Sequence, residues 1–211
     1  MAKTYLVRHG ESVANTKGIY QGQTFNTPLS DMGKLQAKAL AKYFGGVEIR
    51  KILASPLLRT KQTAQEVADL KNIEVIDTLD VIETNHSEWE GVNKKIIEEK
   101  WPDVYKTWME TPADAKFPKG ETFLETQERI INWWEGMTKN EENTLVVTHD
   151  NIIRILVAHA LGLLLNNIWK FELNPAAVTV IETNGNNQRL IALDEKKHLQ
   201  NLLVDLKKHA F

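Results

Sequence analysis

Two histidines, each placed directly after a short apolar segment, constrain the fold more than any other feature. Residues 4–7 lead into Arg8 and His9, and the apolar segment Thr144–Thr148 leads into His149. A strand that ends at polar side chains is typical of the carboxyl edge of a parallel sheet, where α/β folds bind their ligands. The pattern therefore predicts a mostly parallel sheet with both histidines at one edge.

Helical and strand patterns alternate along most of the chain. The predicted strands are residues 4–7, 51–54, 73–76, 144–148, 178–182 and 189–192. The predicted helices are residues 31–44, the stretch after Ser55-Pro56, and residues 121–137, 151–161 and 198–208. Ser30 is expected to cap the first helix, and His198 and His209 in the tail are expected to be solvated. This alternation predicts an α/β fold, a three-layer α/β/α sandwich, as one domain over residues 1–211.

The regular patterns fail between residues 81 and 120, a segment rich in aromatic residues and proline. Long irregular segments in compact domains are often lids or binding loops. We therefore predict an inserted lid or substrate cap over about residues 81–120. Trp101 and Trp108 leave two interpretations open, because aromatic side chains in such a segment either join the core or wall an apolar substrate pocket.

Composition excludes several classes of function. The 211 residues contain no cysteine, which excludes disulfides, thiol catalysis and cysteine-ligated zinc. The formal net charge of -2 provides no general attraction to nucleic acid or membrane, so neither is an expected partner. The apolar run at 152–165 is too short to span a bilayer, and no signal-peptide stretch is visible, so we expect a cytoplasmic protein. No metal-ligand spacing is present, and the sequence predicts no oligomeric state.

Two arginines accompany the two histidines. Arg8 precedes His9, and Arg59 lies early in the helix that follows the second predicted strand. The planar guanidinium group matches the oxygens of a phosphate. An imidazole can accept a phosphoryl group that is held in line with it. Together these side chains predict metal-independent phosphoryl chemistry.

Six blocks of the sequence, in this order, resemble the histidine phosphatase superfamily, which has the phosphoglycerate-mutase-like fold. The blocks are RHGE at 8–11, TPLSDMGKLQA at 27–37, SPLLRTKQTA at 55–64, Glu83 with WEG at 89–91, KGETFLETQERI at 119–130 and LVVTHDNIIR at 145–154. Asn15 and the pair Gln21-Gly22 follow the first block at the expected distance. The resemblance extends from about residue 4 to 160.

The resemblance implies a role for each matching residue. His9 would become phosphohistidine, Glu83 would protonate the leaving oxygen and then help to activate water, and His149 would bind the transferring phosphate. The residues implied to bind phosphate or substrate are Arg8, Arg59, Asn15, Gln21 and Gly22. No metal and no cofactor are implied, and the expected partner is a small phosphorylated metabolite, with inorganic phosphate as the product.

Three functions are compatible with these residues. The first is hydrolysis of a small-molecule phosphomonoester through a phosphohistidine. The second is a cofactor-dependent phosphoglycerate mutase, which would require 2,3-bisphosphoglycerate. The third is an inactive phosphate-binding module. Proteins that resemble true mutases carry longer insertions that exclude water, and this chain is short there. Loss of His9, Arg8, Arg59 or His149 would mark an inactive module, and all four are present. The hydrolase is therefore favoured over both alternatives.

The sequence departs from the family pattern after the second histidine, where Asp150 replaces the usual glycine. A carboxylate that pointed at a phosphate dianion would repel it. We therefore expect Asp150 to turn away from the phosphate and to cap the following helix at residues 151–153.

Overall fold

A six-stranded sheet forms the centre of the structure, a computed structural model that describes residues 1–139, 142–185 and 187–209. The strands are β1 (Ala2–Arg8), β2 (Lys51–Ala54), β3 (Val75–Asp77), β4 (Thr144–Thr148), β5 (Val178–Asn184) and β6 (Asn187–Glu195). Their order across the sheet is β3-β2-β4-β1-β5-β6. Strands β3, β2, β4 and β1 run parallel, while β5 and β6 are antiparallel to their neighbours. The predicted mostly parallel sheet is confirmed.

Helices cover both faces of this sheet. They are α1 (Asp31–Phe44), α2 (Leu58–Lys71), α3 (Lys94–Lys100), α4 (Pro102–Glu110), α5 (Phe123–Met137) and α6 (Asp150–Ala160). Alternate residues of β1 face opposite sides: Val7 packs in a cluster with α1 and α2, and Leu6 packs in a cluster with α5 and α6. The two apolar clusters confirm the three-layer α/β/α sandwich.

Local sequence signals fix the start of two helices. The Ser30 hydroxyl accepts a hydrogen bond from the Gly33 N–H at 3.0 Å, so Ser30 caps α1 as predicted. At α5, Thr122 and Glu125 form a reciprocal capping box. This places the start of α5 at Phe123, two residues after the predicted start.

The segment from 81 to 120 is more regular than we predicted, because it contains α3 and α4. Helix α3 has seven residues and α4 has nine, and helices this short show little periodicity. Trp108 is fully buried, with its ring centroid 5.1 Å from that of Phe117 and 4.8 Å from that of Trp169. Trp101 is partly buried and packs against Trp89. Both tryptophans therefore pack in the core.

The tail also differs from the prediction. Residues 198–208 contain two short 3-10 helices, Gln200–Leu202 and Leu206–Lys208, in place of one amphipathic helix. The reason is tertiary: the Gln36 side chain donates to the Leu202 carbonyl at 2.8 Å. His209 is buried, with Nε2 3.3 Å from a Glu11 carboxylate oxygen, and His198 Nε2 lies 3.0 Å from the Ala176 carbonyl. The prediction that both histidines are solvated was wrong.

The sheet brings the two predicted histidines together. Arg8 of β1 is paired with Thr148 of β4, so the residues that follow them leave the sheet side by side. The His9 N–H donates to the Thr148 carbonyl at 3.0 Å. Within the described residues, no helix has the length and apolar character needed to cross a bilayer.

Candidate active site

The loop after β1 lies against the start of α1, and this approach depends on glycine. A Cβ on Gly10 would lie 2.8 Å from the Gly33 carbonyl oxygen, so a side chain would not fit there. The Gly10 N–H donates to Thr63 Oγ1 at 3.0 Å, and the Glu11 N–H donates to the Gln36 side chain at 2.8 Å. These contacts hold the backbone that follows His9.

His9 has the protonation state of a nucleophile. Its ring is 4% exposed, and Nδ1 lies 2.7 Å from the Gly10 carbonyl oxygen. A carbonyl can only accept, so Nδ1 carries the proton and Nε2 keeps a lone pair. Burial, followed by the charges of Arg59 and Arg8, lowers the pKa of His9 well below its usual value. The ring is therefore neutral at physiological pH.

His149 lies next to this ring, with 5.4 Å between the two ring centroids. Its Nε2 is 2.8 Å from the Ser55 hydroxyl oxygen, while Nδ1 is buried and has no hydrogen-bond partner among the residues that the structure describes. Burial and the charge of Arg59 lower the pKa of His149 well below its usual value. If Ser55 donates to Nε2, then Nδ1 presents a proton.

Arg8 and Arg59 bring further N–H groups to the same place. Arg59 donates from Nη2 to the Gly22 carbonyl at 2.9 Å. Its Nε and Nη1, and Nε of Arg8, are buried and have no partner within the described part of the chain. Burial lowers the pKa of Arg59 to about 10, so the group stays charged at neutral pH. Buried donors without a partner are costly, and such a cluster is typical of a site for an anion.

Six of the eight predicted site residues line one cleft. The side chains around it are Arg8, His9, Asn15, Gln21, Arg59, Glu83, His86 and Asp150. The other two adjoin it: the His149 ring packs against that of His9, and the Gly22 carbonyl accepts a hydrogen bond from Arg59. Among the described residues, no cluster of three or more histidine, cysteine or acidic side chains could hold a metal ion.

Two side-chain amides, those of Asn15 and Gln21, line this cleft. The Asn15 carbonyl oxygen accepts from the N–H and the hydroxyl of Ser12, at 3.0 Å and 2.9 Å. The side-chain oxygen of Gln21 accepts from the Thr27 hydroxyl at 2.9 Å. Because each oxygen is occupied, the NH₂ group is the part of each amide that can contact an anion.

Glu83 has the properties of an acid–base group. It is 7% exposed, and one carboxylate oxygen accepts from the Thr84 N–H at 2.8 Å. Burial raises its pKa to about 7, although that hydrogen bond and the Arg59 charge act in the opposite direction. Both forms of the carboxyl group are therefore populated at neutral pH, as a group that gives and takes a proton requires.

Asp150 behaves differently from our expectation. His149 is the N-cap of α6, Asp150 is the first helical residue, and its carboxylate lies between two arginines. Its oxygens are 3.1 Å from Arg8 Nη1 and 2.6 Å from Arg154 Nε. Burial would raise the pKa of Asp150, but the two arginines outweigh it and lower the pKa. The carboxylate is thus neutralised, and it holds Arg8 in the cleft.

The Asp150 ion pairs predict a stability effect. Asp150→Ala should lower the free energy of unfolding by about 3–5 kcal/mol, because it leaves two buried guanidinium groups without their counter-charge. Chemical denaturation measures this. Asp77→Ala is the control, since the Lys61–Asp77 pair is half-exposed and should contribute about 1 kcal/mol or less. Equal losses for the two variants would contradict the role of Asp150.

The sequence analysis missed four contributors to this site. Ser55, Thr63 and Arg154 hold His149, Gly10 and Asp150 respectively. His86 is buried in the cleft, where Nδ1 lies 2.8 Å from the Gln21 backbone carbonyl oxygen. The available signals were the position of Ser55 directly after β2 and the four-residue spacing of Asp150 and Arg154 on one helix face.

The fold and the buried cationic cleft define an α/β enzyme built to hold a phosphate. A family model described as histidine phosphatase superfamily (branch 1) matches residues 4–196. Phosphoserine phosphatase 1 of Hydrogenobacter thermophilus is 34% identical over 210 residues, 99% of each chain. The adenosylcobalamin/alpha-ribazole phosphatase of Escherichia coli is 26% identical over 92% of this chain and 96% of its own.

Solved structures agree with these sequence relatives. Bacillus stearothermophilus YhfR superposes with a TM-score of 0.89 at 26% identity, covering 94% of this chain and 100% of its own. The chain belongs to the histidine phosphatase superfamily.

Proposed function

We propose that this phosphatase hydrolyses a small phosphomonoester through a phosphohistidine on His9 Nε2. The observation that carries the proposal is the set of buried N–H groups of Arg8 and Arg59, with Nδ1 of His149, that have no partner among the described residues and surround a neutral imidazole. A phosphoryl dianion would supply the acceptors that these donors lack. Activity as a phosphatase is also the activity named for the relatives in this superfamily.

The proposed reaction has two steps. In the first, the His9 Nε2 lone pair attacks phosphorus, the bond from phosphorus to the ester oxygen breaks, and the leaving oxygen takes a proton from Glu83. In the second, the Glu83 carboxylate takes a proton from water, the water oxygen attacks phosphorus, and the bond from phosphorus to Nε2 breaks, which releases phosphate and returns the lone pair to His9. The raised pKa of Glu83, at about 7, suits both directions of proton transfer.

A small metabolite is the proposed substrate, and phosphoserine is the first candidate, because the relative that is 34% identical over nearly all of both chains is a phosphoserine phosphatase. The test is phosphate release by the purified protein from L-phosphoserine, α-ribazole 5′-phosphate, 3-phosphoglycerate and 2,3-bisphosphoglycerate. We expect the highest kcat/KM for L-phosphoserine. Conversion of 3-phosphoglycerate to its 2-isomer without phosphate release would instead identify a mutase.

The absence of cysteine supports the cytoplasmic location that we propose.

Metal independence is part of the proposal. Arg8 and Arg59 would neutralise the phosphate charge, so activity should survive excess EDTA. Vanadate should inhibit in the micromolar range, because it adopts the five-coordinate geometry of the transferring group. The measurement is phosphate release with and without each reagent. Complete loss of activity in EDTA that magnesium or zinc restores would contradict the proposal.

A further inference from the structure

The Glu90 carboxylate accepts hydrogen bonds from two loops, residues 22–25 and residues 83–87. One oxygen of the carboxylate accepts from the N–H groups of Gln23, His86 and Ser87 at 3.0, 3.1 and 3.2 Å. The other accepts from the N–H groups of Thr24 and Phe25 at 2.6 and 3.1 Å, and from the Thr24 hydroxyl. One side chain therefore ties the 22–25 loop to the 83–87 loop.

The chain makes room for this carboxylate. A Cβ on Gly22 would lie 2.1 Å from a Glu90 carboxylate oxygen, so only glycine lets the loop close around it. Burial would raise the pKa of Glu90, but the hydrogen bonds from the Thr24 hydroxyl and from the loop N–H groups outweigh it and lower the pKa. Glu90 is thus a fixed anion, and it is unsuited to act as the acid in place of Glu83.

The two loops hold the groups that bind phosphate and transfer the proton. The Gly22 carbonyl accepts from Arg59 Nη2 at 2.9 Å, which turns the guanidinium group toward the cleft. The Gln23 side chain donates to the Glu83 carbonyl at 2.8 Å, across from one loop to the other. A shift of the 22–25 loop would therefore move Arg59 and the backbone of Glu83 together.

We propose that Glu90 is a positioning residue that fixes Arg59 and Glu83 relative to each other. The proposal rests on the function proposed above for those two residues. It makes a prediction beyond stability, because a displacement of about 1 Å at a catalytic group can cost on the order of 10²-fold in rate. Both phosphate binding and proton donation should suffer when the carboxylate is lost.

The test compares Glu90→Gln with Glu88→Gln. The glutamine NH₂ group would face N–H donors, so the loops should separate. For Glu90→Gln we expect the KM for the phosphomonoester and the inhibition constant for inorganic phosphate each to rise roughly tenfold. The kcat for an alkyl phosphate should fall by roughly 10²-fold, and the kcat for p-nitrophenyl phosphate should fall less. Glu88 pairs at the surface with Lys119 at 2.6 Å, so Glu88→Gln should change each value less than about twofold.

Two further variants separate positioning from a general loss of structure. Thr24→Val removes only the hydroxyl donor to Glu90, and it should give the same pattern at smaller size. In a Glu83→Gln background, the part of the Glu90→Gln effect that depends on the leaving group should disappear, because both changes act on the same proton. Equal losses with both substrates and an unchanged phosphate inhibition constant would overturn the positioning role.

The outcomes also separate this inference from the proposed function. If the wild-type protein hydrolyses phosphomonoesters but Glu90→Gln behaves like Glu88→Gln, the inference about Glu90 is wrong and the proposed function stands. If the wild-type protein forms no phosphohistidine, the proposed function is wrong, and the inference, which depends on it, is wrong with it.

Discussion

Replacing His9 with alanine should abolish both turnover and the covalent intermediate. The variant lacks the Nε2 lone pair, and the neighbouring His149 ring cannot replace it, because its Nε2 is hydrogen-bonded to the Ser55 hydroxyl. Loss of a nucleophile in covalent catalysis typically costs on the order of 10⁴-fold or more in kcat. The measurement is steady-state phosphate release with L-phosphoserine and with p-nitrophenyl phosphate.

Rapid mixing with a labelled phosphomonoester tests the intermediate directly. The wild-type protein should retain label that is stable in alkali and labile in acid, as an N-phosphoryl bond requires. His9→Ala should retain none. His159→Ala is the control: this histidine lies at the far end of α6 and is partly exposed, so both label and turnover should persist. Label on a serine or an aspartate would exclude the proposed mechanism.

Glu83→Gln should separate substrates by the quality of their leaving group. An alkoxide leaves poorly and needs a proton in the transition state, whereas a nitrophenolate leaves readily without one. General acid catalysis typically contributes about 10²–10⁴-fold, so phosphorylation by an alkyl phosphate should fall by that factor and phosphorylation by p-nitrophenyl phosphate by much less. Single-turnover formation of the phosphoenzyme is the measurement, since dephosphorylation also involves Glu83.

The pH dependence provides a second measurement of the same group. Glu83 has a pKa of about 7 and donates only while protonated. The rate of phosphorylation of His9 by an alkyl phosphate should therefore fall as pH rises through about 7. This alkaline limb of the pH profile should be absent from the slower Glu83→Gln variant. Glu88→Gln, a change at an exposed ion pair, should keep the limb. If Glu83→Gln lowered the phosphorylation rate equally with the alkyl phosphate and with p-nitrophenyl phosphate, Glu83 would be a structural or binding residue.

Local signals predicted the framework of the protein well. The Ser30 cap, the bounds of α1, β2 and β4, and the two histidines at one sheet edge were all readable from short segments. These features depend on periodicity, capping and strand ends, which are properties of neighbouring residues. The site residues named from the family resemblance line or adjoin one cleft in the structure, and their catalytic roles remain predictions.

Long-range contacts account for most of what the sequence did not predict. Asp150 was predicted to cap a helix, whereas in the structure it pairs with Arg8, which is 142 residues away. The residues next to Asp150 in the sequence do not indicate that contact. The burial of His209 likewise depends on Glu11, 198 residues away. Glu90 is surrounded by donors from residues 23–25, more than 60 positions earlier. Each of these pairings is set by tertiary packing, which local propensity does not encode.

The unpartnered N–H groups of the cleft set a limit on how this protein can be stabilised. Each buried polar group without a hydrogen-bond partner lowers the stability of the fold, and apolar side chains in place of Arg59 or His149 would remove part of that cost. A search for heat-resistant variants that ignores activity would therefore tend to select changes at these positions. Such variants would gain stability and lose phosphate binding, so engineering of this chain has to keep Arg59 and His149 unchanged.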